Sequence, residues 1–294
     1  MRAETYSTPG PVRLNLEIPA GQIEIETADT EETHVQLEAL ADNDRVRELV
    51  DEARIELLRR GDGHEVVVEM PTRQGFWISI SRGPDIRFGG PDIRLRITCP
   101  RGADLDVRTK SADVDARGQY GTVELKTASG DLHVEEARGT TRLKSASGDF
   151  HTDHVAGSLD VQTVSGDVHA GVVDGDVRAQ LVSGDVQVDA AGSSVNTNTV
   201  SGDQRFGAVE RGRVELKAIS GDVIVGIRRG SRVYVDANTL SGATSSELEL
   251  SDSPAQELSE DAPLVELFVK TVSGDVRIER APAPSATAEV TSST

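Results

Sequence analysis

The chain has 294 residues and a formal net charge of −19, from 31 Lys and Arg against 50 Asp and Glu. That balance excludes nucleic acid and anionic membrane surfaces as partners, since both recruit clustered positive charge. The single cysteine, Cys99, excludes an internal disulfide framework and reads as a small buried hydrophobe at a strand end.

Met1 to Val12 holds no apolar run of signal-peptide length, and no later stretch could span a bilayer as a helix. The expected compartment is the cytoplasm, without direct membrane insertion. Residues 12–40 read as three strands. Val12, Leu14, Leu16 and Ile18 alternate with polar residues, Pro19-Ala20-Gly21 turns into Ile23, Ile25 and Thr27, and Thr33 to Leu37 keeps the period. Residues 43–53 change rhythm. Val46, Leu49, Val50 and Ala53 fall at helical spacing, with Asp42 or Asn43 as the candidate N-cap. Ile55 to Leu58, a Gly61-Asp62-Gly63 turn and Glu65 to Met70 then form a hairpin pattern.

Residues 71–91 are punctuated by Pro71, Gly75, Gly83, Pro84, Gly89, Gly90 and Pro91, and they hold Phe76 and the only tryptophan, Trp77. The segment reads as a flap over the first coils, or as a partner-binding loop. A strand at Ile93–Cys99 and a Pro100-Arg101-Gly102 turn lead out of it.

From there one tripeptide organises the chain. Ser-Gly-Asp recurs at Ser129, Ser147, Ser165, Ser183 and Ser201, every 18 residues, with a degenerate copy at Ser111-Ala112-Asp113. The register then loosens to Ser220, to Ser241 (followed by Gly242-Ala243) and to Ser273. A fixed period marks a repeat architecture. Each unit holds two alternating segments opened by glycine turns, the second set at Gly121, Gly139, Gly157 and Gly175. One unit cannot bury its own apolar face, so coils must stack at about 4.8 Å. The predicted fold is all-β: a solenoid of stacked two-strand coils over residues 101–280, behind an N-terminal β-rich cap (1–100) with one short helix. An aromatic content of 3% suits a thin core. Near the end, Glu247–Leu250 reads as a strand, 252–263 as an acidic loop, Leu264 to Arg280 as a last coil, and 281–294 as a disordered tail.

The run Ile-Thr-Cys-Pro-Arg-Gly-Ala-Asp-Leu-Asp-Val at 97–107, the repeated Thr-x-Ser-Gly-Asp-Val, and Lys-Thr-Val-Ser-Gly-Asp-Val-Arg-Ile at 270–278 resemble a bacterial family. That family is the "putative adhesins" with β-strand repeats, also called the toast-rack domain, and the resemblance spans about residues 10–280. It implies a β-solenoid serving as a scaffold or binding surface linked to the cell envelope or its stress response. It carries over no catalytic residues and no cofactor.

Three patterns bear on function. Asp131, Asp149, Asp167, Asp185 and Asp203 form a ladder at the turns. Turn stabilisation is its first reading and calcium its alternative, since a calcium β-roll repeats Gly-Gly-x-Gly-x-Asp every nine residues. Like charges so stacked must be offset by turn N–H groups or by a cation. His133, His151 and His169 form a second stripe, read first as solvated and otherwise as a zinc or pH-sensitive group. The third stripe precedes each Ser: Ala128, Ala146, Val164, Val182, Val200, Ile219, Leu240 and Val272. Strict alternation sets it outside, as a protein-interaction surface; a corner folding inward sets it over the core. The sequence leaves both open.

Outward Asp160, Arg178, Arg142, Lys126 and Lys144 form no catalytic cluster, and there is no phosphate loop, HExxH or CxxC. The expectation is a non-enzymatic, adhesin-like protein-binding module, monomeric or weakly self-associating. Its partner would meet Phe76, Trp77, Val164, Val182, Val200 and Ile219. The alternatives are a calcium-ordered roll, a solenoid polymerising through its ends, and a polysaccharide-acting β-helix enzyme.

Overall fold

The computed structural model describes residues 1–40, 44–71, 93–248 and 262–281. The chain opens with β1 (Arg2–Ser7), β2 (Val12–Ala28), β3 (Glu32–Ala39), α1 (Asp44–Glu52), β4 (Arg54–Arg60), β5 (Gly63–Glu69), β6 (Ile93–Pro100) and β7 (Asp104–Tyr120). The repeat follows as β8 (Val123–Lys126), β9 (Leu132–Ala137), β10 (Thr141–Ser145), β11 (Phe150–Val155), β12 (Leu159–Ser165) and β13 (Val168–Val173). It continues as β14 (Val177–Ser183), β15 (Val186–Ala191), β16 (Val195–Ser201), β17 (Gln204–Val209), β18 (Gly212–Ser220) and β19 (Val223–Ile227). The last strands are β20 (Arg232–Ser241), β21 (Thr244–Ser246), β22 (Leu264–Ser273) and β23 (Val276–Arg280).

These strands form the two faces of a flattened β-solenoid. One face runs β4-β5-β2-β7-β8-β10-β12-β14-β16-β18-β22-β20. The other runs β1-β3-β6-β2-β7-β9-β11-β13-β15-β17-β19-β23-β21. Among the described residues, only β1–β3, β3–β6 and β4–β5 pair antiparallel. The long strands β2 and β7 pass round the corner and lie in both faces.

Alternation places the core. Val123 and Leu125 point inward, as do Leu132 and Val134, Phe150 and Thr152, and Val168 and Ala170, all buried between the faces. Gln204 breaks the apolar rule at an inward position and is wholly buried. Its amide nitrogen donates to Thr199 Oγ1 at 2.8 Å and to the Lys217 carbonyl at 2.9 Å, which offsets part of the cost of burying it, while Oε1 has no partner among the described residues.

The structure revises several expectations. The first two strands expected within residues 12–40 are halves of one strand, β2. Ala20 and Gly21 pair with Ser111 and Ala112, so Pro19-Ala20-Gly21 is a corner that keeps its ladder, not a break. β1 is not expected from the sequence because its inward side chains, Arg2, Glu4 and Tyr6, are not an apolar alternation. The helix is present, and Val46, Leu49 and Val50 are buried on the same core as the strands. It joins β3, near the end of one face, to β4, the outermost strand of the other. The strand expected at Glu247–Leu250 is instead β21, three residues earlier, and 249–250 lie outside the described residues. So do Asp42 and Asn43, the acidic stretch to residue 261, the 71–91 segment beyond Pro71, and the tail beyond Ala281.

Stacking order also departs from chain order. The coil β22–β23 inserts between β18–β19 and β20–β21: Ser220 faces Ser273, and Ser273 faces Ser241. At the other end β2 lies between the β5–β6 pair and β7. The wide spacings after Ser220 are the trace of this re-entry, whereas the step from Ser201 to Ser220 carries one extra residue between Val209 and Val214.

Candidate functional site

The Ser-Gly-Asp corner is built by backbone approach. Gly166 has φ +126°, where an L side chain is strained, and a Cβ there would collide with the Gly148 carbonyl of the coil below. The tight approach brings the next backbone N–H under each carboxylate. The Asp131 N–H donates to Asp113 Oδ1 at 3.0 Å and the Asp149 N–H to Asp131 Oδ1 at 3.0 Å. Asp167, Asp185 and Asp203 continue at 2.8, 2.8 and 2.7 Å. Asp222, Asp275 and finally the Ala243 N–H complete the file.

Magnitudes explain why the file holds. Unit charges about 4.8 Å apart in water repel by about 0.9 kcal/mol, whereas a hydrogen bond to a charged group contributes roughly 1.5–3 kcal/mol. The amide therefore outweighs the neighbouring carboxylate. All five calcium candidates, Asp131, Asp149, Asp167, Asp185 and Asp203, are exposed and use Oδ1 in this way.

The residue before each Ser points outward. Val164 is 54% exposed, Val182 48%, Val200 45%, Ile219 54%, Val272 47% and Leu240 83%. Ala128 and Ala146 are exposed beside them. Serine pairing puts these residues in one file, in the spatial order Val164, Val182, Val200, Ile219, Val272, Leu240. A shallow groove of about 630 Å³ runs along it, with Val164, Val182 and Val200 on one side and Gln162, Gln180 and Asn198 on the other. Phe76 and Trp77 lie outside the described residues.

On the other flank of the corner lies a second groove of about 630 Å³, between the Asp file and the histidine file. The ring centroids of His133 and His151 are 5.2 Å apart and those of His151 and His169 4.8 Å. Each ring has a carboxylate: His133 Nδ1 is 3.0 Å from Asp115 Oδ1, His151 Nε2 2.9 Å from Asp153 Oδ1, and His169 Nε2 3.5 Å from Asp189 Oδ2. Partial burial pushes the Asp115 carboxyl up, but hydrogen bonds from His133 and Arg117 outweigh it and hold the group below its ordinary value. The sequence named the histidine stripe but not its carboxylates. Two of them could have been found there, since Asp115 stands one 18-residue period before His133 in the same outward file and Asp153 two residues after His151 on the same outward side.

The remaining charged candidates separate into two files of the first face. Arg142 pairs in register with Asp160, and Asp160 with Arg178, while Lys126 neighbours Lys144. Burial pushes the Cys99 thiol up to about 12, so the thiolate is scarce near neutral pH. No helix among the described residues is long and apolar enough to cross a membrane.

The family model described as Toastrack DUF4097 matches residues 13–225. Three solved structures are similar over nearly the whole chain. A "putative cell adhesion protein" from Clostridium sporogenes ATCC 15579 is 11% identical with a TM-score of 0.25, covering 95% of this chain and 99% of that one. A "putative adhesin" from Parabacteroides distasonis ATCC 8503 is 9% identical with a TM-score of 0.45, covering 94% and 96%. Another, from Bacteroides fragilis NCTC 9343, is 12% identical with a TM-score of 0.35, again covering 94% and 96%. No curated protein matches the chain.

Proposed function

The chain belongs to the Toastrack DUF4097 family, and from that premise we propose that it is a non-enzymatic, adhesin-like scaffold that binds a protein partner along its apolar corner file. The observation that carries this reading is the run of half-exposed aliphatic side chains from Val164 to Leu240. Isolated surface valines are ordinary, but a contiguous file beside a groove is the kind of surface that partners cover. A partner helix laid along the axis would present side chains every ~5.4 Å against rungs about 4.8 Å apart, a mismatch of about 2 Å over four rungs. The amides of Gln162, Gln180 and Asn198 alongside offer hydrogen bonds at the edge of that contact.

Two supports favour binding over catalysis. The corner carboxylates are committed to backbone N–H groups, and the cysteine is buried. The net charge of −19 disfavours nucleic acid, the exposed aliphatic file suits a protein surface, and the family resemblance suggests a setting at the cell envelope.

The test is quantitative capture from the native host, comparing the wild-type chain with a Val182→Asp/Val200→Asp variant. The expected result is a specific protein depleted at least tenfold by the variant while the melting temperature stays within a few degrees. An unchanged capture profile sinks the assignment of this surface.

A further inference from the structure

We propose that His133, His151 and Asp153 form a binding site for a divalent first-row transition metal of the zinc class. Stacking alone creates the cluster. His133 and His151 occupy the same outward position on adjacent rungs, β9 and β11, and Asp153 stands two residues along β11 on the same outward side. One donor atom from each lies within 4.8 Å of the others. Tetrahedral zinc with bonds of about 2.0–2.1 Å separates its ligand atoms by roughly 3.4 Å. The gap of about 1.4 Å is within reach of side-chain rotation, because all three side chains are partly or fully exposed and none is locked in the core.

Three further features suit a metal. Asp115 Oδ1 lies 3.0 Å from His133 Nδ1, which leaves Nε2 to face a metal with its ring held by a carboxylate, as in many carboxylate–histidine–zinc sites. His151 Nε2 and Asp153 Oδ1 already lie 2.9 Å apart, so an ion would replace the proton they share. The groove beside them is walled by Asp113, Asp131 and Asp149, whose negative potential concentrates cations. Two imidazoles select zinc or copper over calcium, which takes six to eight oxygens. His169 lies one rung further, its ring edge-on to His151, with Asp189 as its neighbour. It stays outside the ligand set, and water fills the fourth position.

The site is independent of the apolar file, so either can fail alone. The test is calorimetric titration of tag-free, chelator-treated full-length chain with zinc chloride, with calcium chloride as the control. One zinc per chain is expected. Affinity should fall at least tenfold in His133→Ala and in His151→Ala, and about tenfold in Asp115→Asn, where a positioning carboxylate is lost. His169→Ala and the distant His34→Ala should stay within about threefold. Zinc should also shift the imidazole NMR signals of His133 and His151 in the wild-type protein before those of other histidines, which decides the matter even if a variant misfolds. Unaltered binding in both His133→Ala and His151→Ala, equal uptake of calcium, or first shifts at other histidines would each overturn the proposal.

Discussion

The middle of the molecule and its two ends are built from the same coil but are held in different ways. From β8 to β17 the chain climbs one rung per repeat, so each strand pairs with strands one unit before and after it. At the ends the chain leaves the stack and returns: β2 sits between β5–β6 and β7, and β22–β23 sits between β18–β19 and β20–β21. Middle rungs therefore depend on near neighbours in sequence, and end rungs on distant ones. A period guarantees that coils are compatible; it does not say which one lies next.

The largest effect that tests this contrast is a pair of deletions. Removing residues 166–183 takes out one whole repeat and rejoins Ser165 to Gly184, restoring a Ser-Gly-Asp corner. The shortened solenoid should fold with the same circular dichroism and melt only a few degrees lower. Removing 264–280 takes fewer residues but strips both β18–β19 and β20–β21 of a partner. It should lower the melting temperature by ~10 °C or more and abolish amide protection across 232–246. Equal effects would show that chain re-entry is not what holds the C-terminal end.

Next in size is the corner itself. Gly184→Val in the middle meets both φ +123° and the Gly166 carbonyl, and should cost about 3 kcal/mol or more in urea unfolding. Gly61→Ala, in the N-terminal hairpin, has φ +62° but open space around it and should cost only about 1 kcal/mol. Similar losses would mean that backbone conformation alone, and not rung contact, demands the glycines.

A smaller effect separates charge from hydrogen bonding. Asp167→Ala orphans the Asp185 N–H but relieves repulsion from its neighbours, for a net loss of about 1 kcal/mol. Asp167→Asn keeps an acceptor without the charge and should be near neutral. If Asn is as damaging as Ala, the carboxylate has a role beyond accepting that amide.

The smallest effect concerns whether the N-terminal end is as closed as the middle. Cys99 is buried in β6, near that end, and its thiol is pushed up to about 12 by burial. At pH 8 the native chain should react with a disulfide reagent only as fast as it unfolds, and at once in denaturant. Rapid labelling of the native chain would show that this end opens locally.

Much of this was legible. The inward files, the hairpin at β4–β5, the helix and the corner glycines all follow from local alternation, helical spacing and the need for positive φ. The file of Asp carboxylates was legible as a ladder, and so was its need for compensation. That the compensation comes from the next coil's N–H is a property of the fold, because it turns on a close approach between rungs. β1 was not legible, since Arg2, Glu4 and Tyr6 give no apolar signal. Nor was the outward turn of Val164 and its neighbours, because strand alternation can break at a corner and propensity says nothing there. The pairing of His133 with Asp115 and of His151 with Asp153 was half visible: Asp115 stands one period before His133 and Asp153 two residues after His151, but which ring nitrogen meets which carboxylate is set by side-chain rotamers.

The stacking of 18-residue coils, the residues that face the core and the glycine each corner needs are all readable from the chain's own period, because they are properties of one unit and its repetition. The order of the end coils, the outward turn of the apolar file, and the carboxylate partner of each histidine came from the fold. The first depends on which rungs touch, and contact between rungs distant in sequence leaves no periodic mark; the other two depend on backbone direction at the corner and on rotamers, which alternation does not specify.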